Sequence, residues 1–247
     1  DPVRFFKVEL EALSDRARAA LAAFVGCAME DLSLVPNATF AVATILNSLS
    51  FEPSDEIVVT DHEYNATLNE LERVCARTGA VLRRARVPLP LDGPETVERA
   101  VLGAVTERTR LVIVSHIASA AGLVFPVERI VDGVRARGID VLVDGAHAPG
   151  QIPVDIASIR PTFYTGSCHK WLNTPKGSGF VFAEPGRQAE IRPLALSCRV
   201  HERRTDRKAF LCDFDYVGTG DYTANLVIPD AIEHLGAQSP GGWPELI

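Results

Sequence analysis

The sequence predicts an α/β fold, a three-layer α/β/α arrangement with a mostly parallel central sheet. Three observations predict it. Apolar runs of strand length alternate with segments of helical periodicity along most of the chain. The run over 111–115 is unbroken, as expected of a strand buried on both faces of a parallel sheet. Polar, turn-rich stretches follow the carboxyl ends of these runs, where open α/β sheets hold their ligands.

Taken in order, Leu10, Leu13, Ala17, Leu21 and Phe24 recur at spacings of three and four and predict an amphipathic helix over 8–24. Val35-Pro36-Asn37-Ala38-Thr39 enters a second apolar pattern over 40–49, with a cap-competent Asn or Thr at its start. Free N–H groups at such a helix start make it an anion site. Residues 56–60 read as a short buried strand that delivers Asp61-His62-Glu63-Tyr64-Asn65-Ala66 at its carboxyl end. A helix over 65–78 and a strand over 81–87 follow; Arg83, Arg84 and Arg86 predict an edge or partly exposed position for that strand. After a loop over 88–94, a helix over 94–105 leads to the strand over 111–115 and the loop from His116 to Gly122. A helix over 126–137 feeds the central strand, an apolar run that ends on Asp144. Strand 179–183 closes this region, residues 184–216 read as irregular and polar, and an apolar helix is predicted over 225–235.

The composition, 47% hydrophobic and 23% charged over 247 residues, suits a soluble globular chain with one large core or a large and a small lobe. A net charge of −7 argues against a nucleic-acid partner. Arg199, Arg203, Arg204 and Arg207 form a local basic cluster that reads as a solvated loop. No apolar run reaches the length of a membrane span, and no secretory signal opens the chain. The five cysteines lack metal-ligand spacing and read as reduced thiols, so no metal site and a cytoplasmic location are expected.

The chemistry concentrates between 139 and 183. Asp144 ends a strand; Gly145-Ala146-His147-Ala148-Pro149-Gly150 follows; Ser167-Cys168-His169-Lys170-Trp171 comes after a strand-like segment; Pro175-Lys176-Gly177-Ser178-Gly179 opens the last strand. A strand-end carboxylate, then a lysine beside a histidine and a serine, is what an enzyme needs to hold pyridoxal phosphate. The cofactor is an electron sink that works best with its ring nitrogen protonated, which a carboxylate favours, and Asp144 is the candidate. A lysine must hold its aldehyde as a Schiff base, and Lys170 alone among Lys7, Lys170, Lys176 and Lys208 sits among phosphate-binding residue types. Ser167 and His169 can donate to the phosphate. Cys168 reads as packing.

With these motifs the chain resembles the class V aminotransferase family of fold type I pyridoxal-phosphate enzymes, over nearly its whole length. Within it the likeness is nearest to proteins of the isopenicillin N epimerase type, whose relatives include cysteine desulfurases and C–S lyases. The resemblance implies the large cofactor domain of an aspartate aminotransferase-like fold. It implies that Ala38 and Thr39 bind the phosphate, and that Tyr64, with His62 as runner-up, stacks on the cofactor ring. It further implies that Ser119 and His147 lie near the phenolic oxygen. Ala121 stands where relatives commonly carry Thr. Gly218-Thr219-Gly220-Asp221 resembles the element in which Thr219 reaches the phosphate of the neighbouring subunit, which implies a homodimer.

The expected organisation is a cofactor domain over 1–235 and, over 236–247, the start of a connection to a carboxy-terminal small domain absent from this chain. Family members carry there an arginine that pairs with the substrate's α-carboxylate. The expected substrate is of amino-acid type. Lys170 would remove its α-proton; reprotonation from the opposite face gives epimerisation, and expulsion of a β-substituent gives lyase chemistry. An epimerase is the first expectation, a C–S lyase or cysteine desulfurase-like enzyme the second, and a cofactor-binding protein without turnover the third.

Overall fold

The computed structural model describes residues 1–201 and 204–247, so Arg203 of the basic cluster lies outside the described residues. The strands are β1 Leu32–Val35, β2 Glu56–Thr60, β3 Val81–Ala85, β4 Thr109–Ser115, β5 Asp140–Asp144, β6 Phe163–Ser167 and β7 Gly179–Ala183. The α-helices are α1 Pro2–Arg4, α2 Leu10–Val25, α3 Ala38–Ser48, α4 Asn65–Thr78, α5 Pro94–Ala104, α6 Val127–Arg135, α7 Ile156–Ile159, α8 Ala209–Phe214, α9 Thr223–Leu226, α10 Ile228–Gly236 and α11 Trp243–Leu246. The seven strands form one sheet in the order β1-β7-β6-β5-β4-β2-β3. Pairing is parallel from β3 through β6, and β7 runs antiparallel to both β6 and β1.

Both faces of the sheet are covered, which explains the unbroken apolar strands. Val112, Val114, Val141 and Val143 pack with Leu21, Val97, Val101, Ile130 and Val134 from α2, α5 and α6. The alternate residues Leu111, Ile113 and Leu142 pack with Val42, Ile45, Leu71 and Phe210 from α3, α4 and α8. Each such aliphatic side chain contributes about 1.5–3 kcal/mol on burial. Against that background the buried Asp144 at the end of β5 is a costly exception.

The arginine-rich β3 is one of the two edge strands, in keeping with the edge or partly exposed position predicted from its charges. Three differences from the sequence reading have local causes. β1 is only four residues long, too short to show a period. The region over 184–216 contains α8, whose Phe210, Leu211 and Phe214 are buried. The predicted helix over 225–235 is two helices, α9 and α10, with Pro229 in the first turn of α10, where its missing N–H is tolerated.

The described members of the basic cluster have partners, though Arg204 stays half-exposed. Arg18 of α2 is buried and bonded to Asp15 and Asp215; Arg207 reaches Asp15 at 2.7 Å and Asp215 at 2.6 Å. Arg204 bonds Glu11 and Asp206, and Arg199 lies over the Tyr216 ring. This network ties α2 to the segment around α8. Among the described residues no helix is long and apolar enough to cross a membrane.

A glycine fixes the junction of β6, β7 and α3. A Cβ on Gly179 would lie 2.6 Å from Gly166 O and 2.8 Å from Asn37 Cα, both backbone atoms. Gly179→Ala is therefore expected to destabilise the chain by about 1–3 kcal/mol. Thermal melting reads this directly, and an unchanged melting temperature would show that the junction can yield.

Candidate active site

The parallel strands β2, β4, β5 and β6 end on one side of the sheet, and their carboxyl ends carry the polar segments named above. The Asp144 side chain closes β5. Its Oδ1 accepts from Ala146 N–H at 3.0 Å, and its Oδ2 accepts from Thr67 Oγ1 of α4 at 3.4 Å. Among the described residues no lysine or arginine forms an ion pair with it. Burial raises its proton affinity; the Ala146 N–H, the Lys170 charge and the Thr67 hydroxyl oppose that. A buried carboxylate with few donors and no ion-paired cation is the group a positively charged ring nitrogen would satisfy.

Lys170 follows the β6 carboxyl end. Its Nζ lies 3.0 Å from His147 Nε2 and 5.9 Å from the centre of the Tyr64 ring. Burial lowers the Lys170 pKa, and the Asp144 charge opposes that. Burial, then the Lys170 charge, lower that of His147. His147 Nδ1 accepts from Trp171 Nε1 at 3.3 Å. That bond places the ring proton of a neutral His147 on Nε2, the nitrogen that faces Lys170 Nζ. The loop carrying His147 turns at Gly150, φ 87°, where a Cβ would meet Trp171 O at 2.7 Å.

The third group gathers at the start of α3. Asn37 caps the helix, its Oδ1 accepting from Phe40 N–H at 2.8 Å. Ala38 N–H donates to Ser167 Oγ at 3.1 Å, so the β6 end and the helix start are joined. Thr39 is exposed in the first turn. A helix of 11 residues with its amino terminus at the strand ends is a cradle for an anion.

The structure thus brings Tyr64, Asp144, His147 and Lys170 together, and joins Ala38 to Ser167. The other predicted residues have neighbours of their own. His62 Nε2 lies 3.2 Å from Val87 O, which leaves Tyr64 as the ring near Lys170. His169 Nδ1 lies 2.8 Å from Ser178 O. Ser119 is exposed and makes no hydrogen bond among the described residues. Thr219 is exposed and bonded to Tyr216 Oη at 2.8 Å. Cys168 is fully buried, its thiol pushed up to about 12 by burial, as packing requires.

Sequence reasoning missed Thr67, Ser115 and Glu63. Ser115 stands opposite Asp144 in the β4–β5 register and donates through Oγ to Glu63 Oε1 at 2.7 Å. An acid three residues beyond a fully buried strand was the available signal for Glu63.

The family model for aminotransferase class-V matches residues 3–214. The chain is 41% identical to isopenicillin N epimerase of Streptomyces clavuligerus, covering 98% of this chain and 63% of the relative. It is 35% identical to isopenicillin N epimerase of Amycolatopsis lactamdurans, covering 94% and 61%. A putative L-cysteine desulfhydrase 2 of Oryza sativa subsp. japonica is 29% identical, covering 95% and 51%. Among solved structures, the cystine C-S lyase C-DES in complex with cysteine persulfide superposes with a TM-score of 0.84 at 26% identity, covering 96% of this chain and 63% of that one. A C-DES mutant with glycine covalently linked to its PLP cofactor superposes with a TM-score of 0.83 at 25% identity, covering 96% and 63%. This chain spans less than two thirds of the length of each of these relatives.

Proposed function

The chain belongs to the aminotransferase class-V family, and on that premise we propose that it forms the cofactor domain of a pyridoxal-phosphate enzyme acting at Cα or Cβ of an amino-acid-type substrate. An epimerase of the isopenicillin N type is the first reading. The observation that carries it is the grouping of Lys170, His147 and Tyr64 near a buried Asp144 that has no ion pair among the described residues, in a chain 41% identical to one such epimerase. A C–S lyase is the second reading, favoured by the fold's match to C-DES.

The residues fit the cofactor. Asp144 would hold its ring nitrogen, Lys170 its aldehyde carbon, and Tyr64 would lie on its ring. Ser167, the Ala38 and Thr39 helix start and His169 would hold its phosphate. His147 and Ser119 would serve the phenolic oxygen. Thr219 would reach the site of a second copy, making the enzyme a homodimer. The bound cofactor supplies an electron sink for charge at Cα. The protein's own part is proton handling: a neutral Lys170 amine takes the α-proton, and burial, which lowers the Lys170 pKa, favours that form. A reducing, cytoplasmic setting suits its five free cysteines.

Incubation with candidate amino acids in deuterated solvent tests the function. Deuterium at Cα without elimination is the expected outcome for an epimerase. Release of pyruvate or sulfide replaces that reading with the lyase. A cofactor band that no amino acid perturbs, with no product, refutes both and leaves a binding protein without turnover.

A further inference from the structure

Glu63 is the second acid at the strand ends, and nothing in the proposed function uses it. It stands three residues past β2, and it is 6% exposed. Its Oε1 accepts from Ser115 Oγ at 2.7 Å and from Tyr64 N–H at 2.9 Å. Its Oε2 is buried with no hydrogen-bond partner among the described residues. No ion pair reaches Glu63 among the described residues. Ionised, it would leave a bare charged oxygen in an apolar sheet end, beside a second buried carboxylate.

The groups around it offer no relief. Asp144 at the end of β5 is the charge that acts on Glu63, and it is negative. From the same turn, Asp61 accepts from Val87 N–H and His62 sits at Val87 O, so both are turned to another loop. His116, next to Ser115, is kept neutral by burial, its pKa pushed down to about 4, and bonds Tyr164 Oη at 2.8 Å. Tyr164 on β6 is held protonated by burial. Lys170 acts on Asp144, favouring the charge there.

Two buried carboxylates that interact hold their protons as a pair. Asp144 has the Ala146 and Thr67 donors and the Lys170 charge; Glu63 has one oxygen with no donor among the described residues. We propose that Glu63 is a proton-holding acid of this site, a positioning residue that stays neutral so that the pair carries one negative charge, on Asp144. The role rests on the reading of Asp144 as the ring-nitrogen partner. It keeps that carboxylate ionised without a second charge competing for the same cation. Burial, then the Asp144 charge, raise the Glu63 pKa to about 7, in line with this. On ionisation the proton passes to solvent.

The sign of the stability effect follows. A carboxyl group whose folded pKa lies above its unfolded value contributes stability that is complete below the unfolded value, and the contribution is lost as pH rises through the folded one. Melting temperatures of the cofactor-free chain are measured from pH 5 to pH 9. Glu63→Gln, which mimics the neutral acid, is expected to gain on wild type by several degrees as pH rises from 5 to about 7 and to hold that gain from there to pH 9. An offset unchanged across the range would overturn the proposal. Should E63Q not fold, Ser115→Ala serves instead. Removing its donor to the Glu63 carboxylate should move the wild-type midpoint to higher pH, and an unmoved midpoint overturns the proposal equally. With pyridoxal phosphate added, the visible band below pH 7 should be the same in E63Q as in wild type, because the amide stands in for a neutral acid. A band altered by E63Q in that range means that Glu63 carries charge there and counts against the proposal. Absence of any band in wild type refutes the cofactor reading instead, and the melting curves decide about the Glu63 proton by themselves.

Discussion

Lys170→Ala is expected to fold, to bind pyridoxal phosphate without the visible covalent band, and to show no bleaching with borohydride. Activity should fall by about 10²–10⁴-fold from loss of the base alone, and further from loss of the covalent hold. The residue can be removed without collapse because it is only part-buried and its Nζ contacts His147 and the open face of Tyr64, not the core. Lys176→Ala is the matched control. It shares the loop but is exposed, and it should leave band and activity unchanged. A band that survives Lys170→Ala and disappears with Lys176→Ala would move the covalent site to the other lysine. A band that survives both would refute lysine attachment in this loop.

Part of this site could be read before any coordinates because its residues lie in short turns at strand ends. Asp144, His147 and Lys170 are such residues, and their types state their chemistry. The Ala38–Ser167 bond was legible only in halves, as a helix start and a serine in a loop; the contact depends on β6 and α3 meeting at Gly179. Thr67 reads as an ordinary position on α4, and only the fold turns its hydroxyl to Asp144. Ser115 and Glu63 were hidden for a similar reason. Their relation to Asp144 arises from the parallel pairing of β2, β4 and β5, which no local periodicity encodes. The covering of both sheet faces was legible, since continuous apolar strands have one physical cause. The break between α9 and α10 was not, because a proline near a helix start looks the same whether it opens a new helix or follows a longer one.

The two aspartates of β5 should respond to removal in opposite ways, and that crossing pattern is the stronger test of which one serves the chemistry. Asp140 opens the strand, part-exposed, and pairs with Arg187 at 2.7 Å. Asp140→Ala should cost roughly 1 kcal/mol or less of stability and leave activity nearly intact. Asp144 closes the strand, buried and without an ion pair among the described residues, its proton affinity raised by burial. Its unfolded carboxyl ionises first as pH rises, so its contribution to stability is complete below the unfolded value and is lost as pH climbs through the folded one. Asp144→Asn keeps the shape and removes that liability. The variant is expected to melt higher than wild type at pH 8 while activity falls by about 10²–10³-fold, the scale seen when an electrostatic partner of developing charge is lost. Asp144→Ala should lose activity on the same order without the gain in melting temperature, since it leaves a cavity beside Thr67. Higher stability with lower activity at 144, against lower stability with retained activity at 140, is the signature of a carboxylate kept for a bound cation at the expense of the fold. Equal losses of activity at the two positions would mean that the ring nitrogen leans on neither in particular.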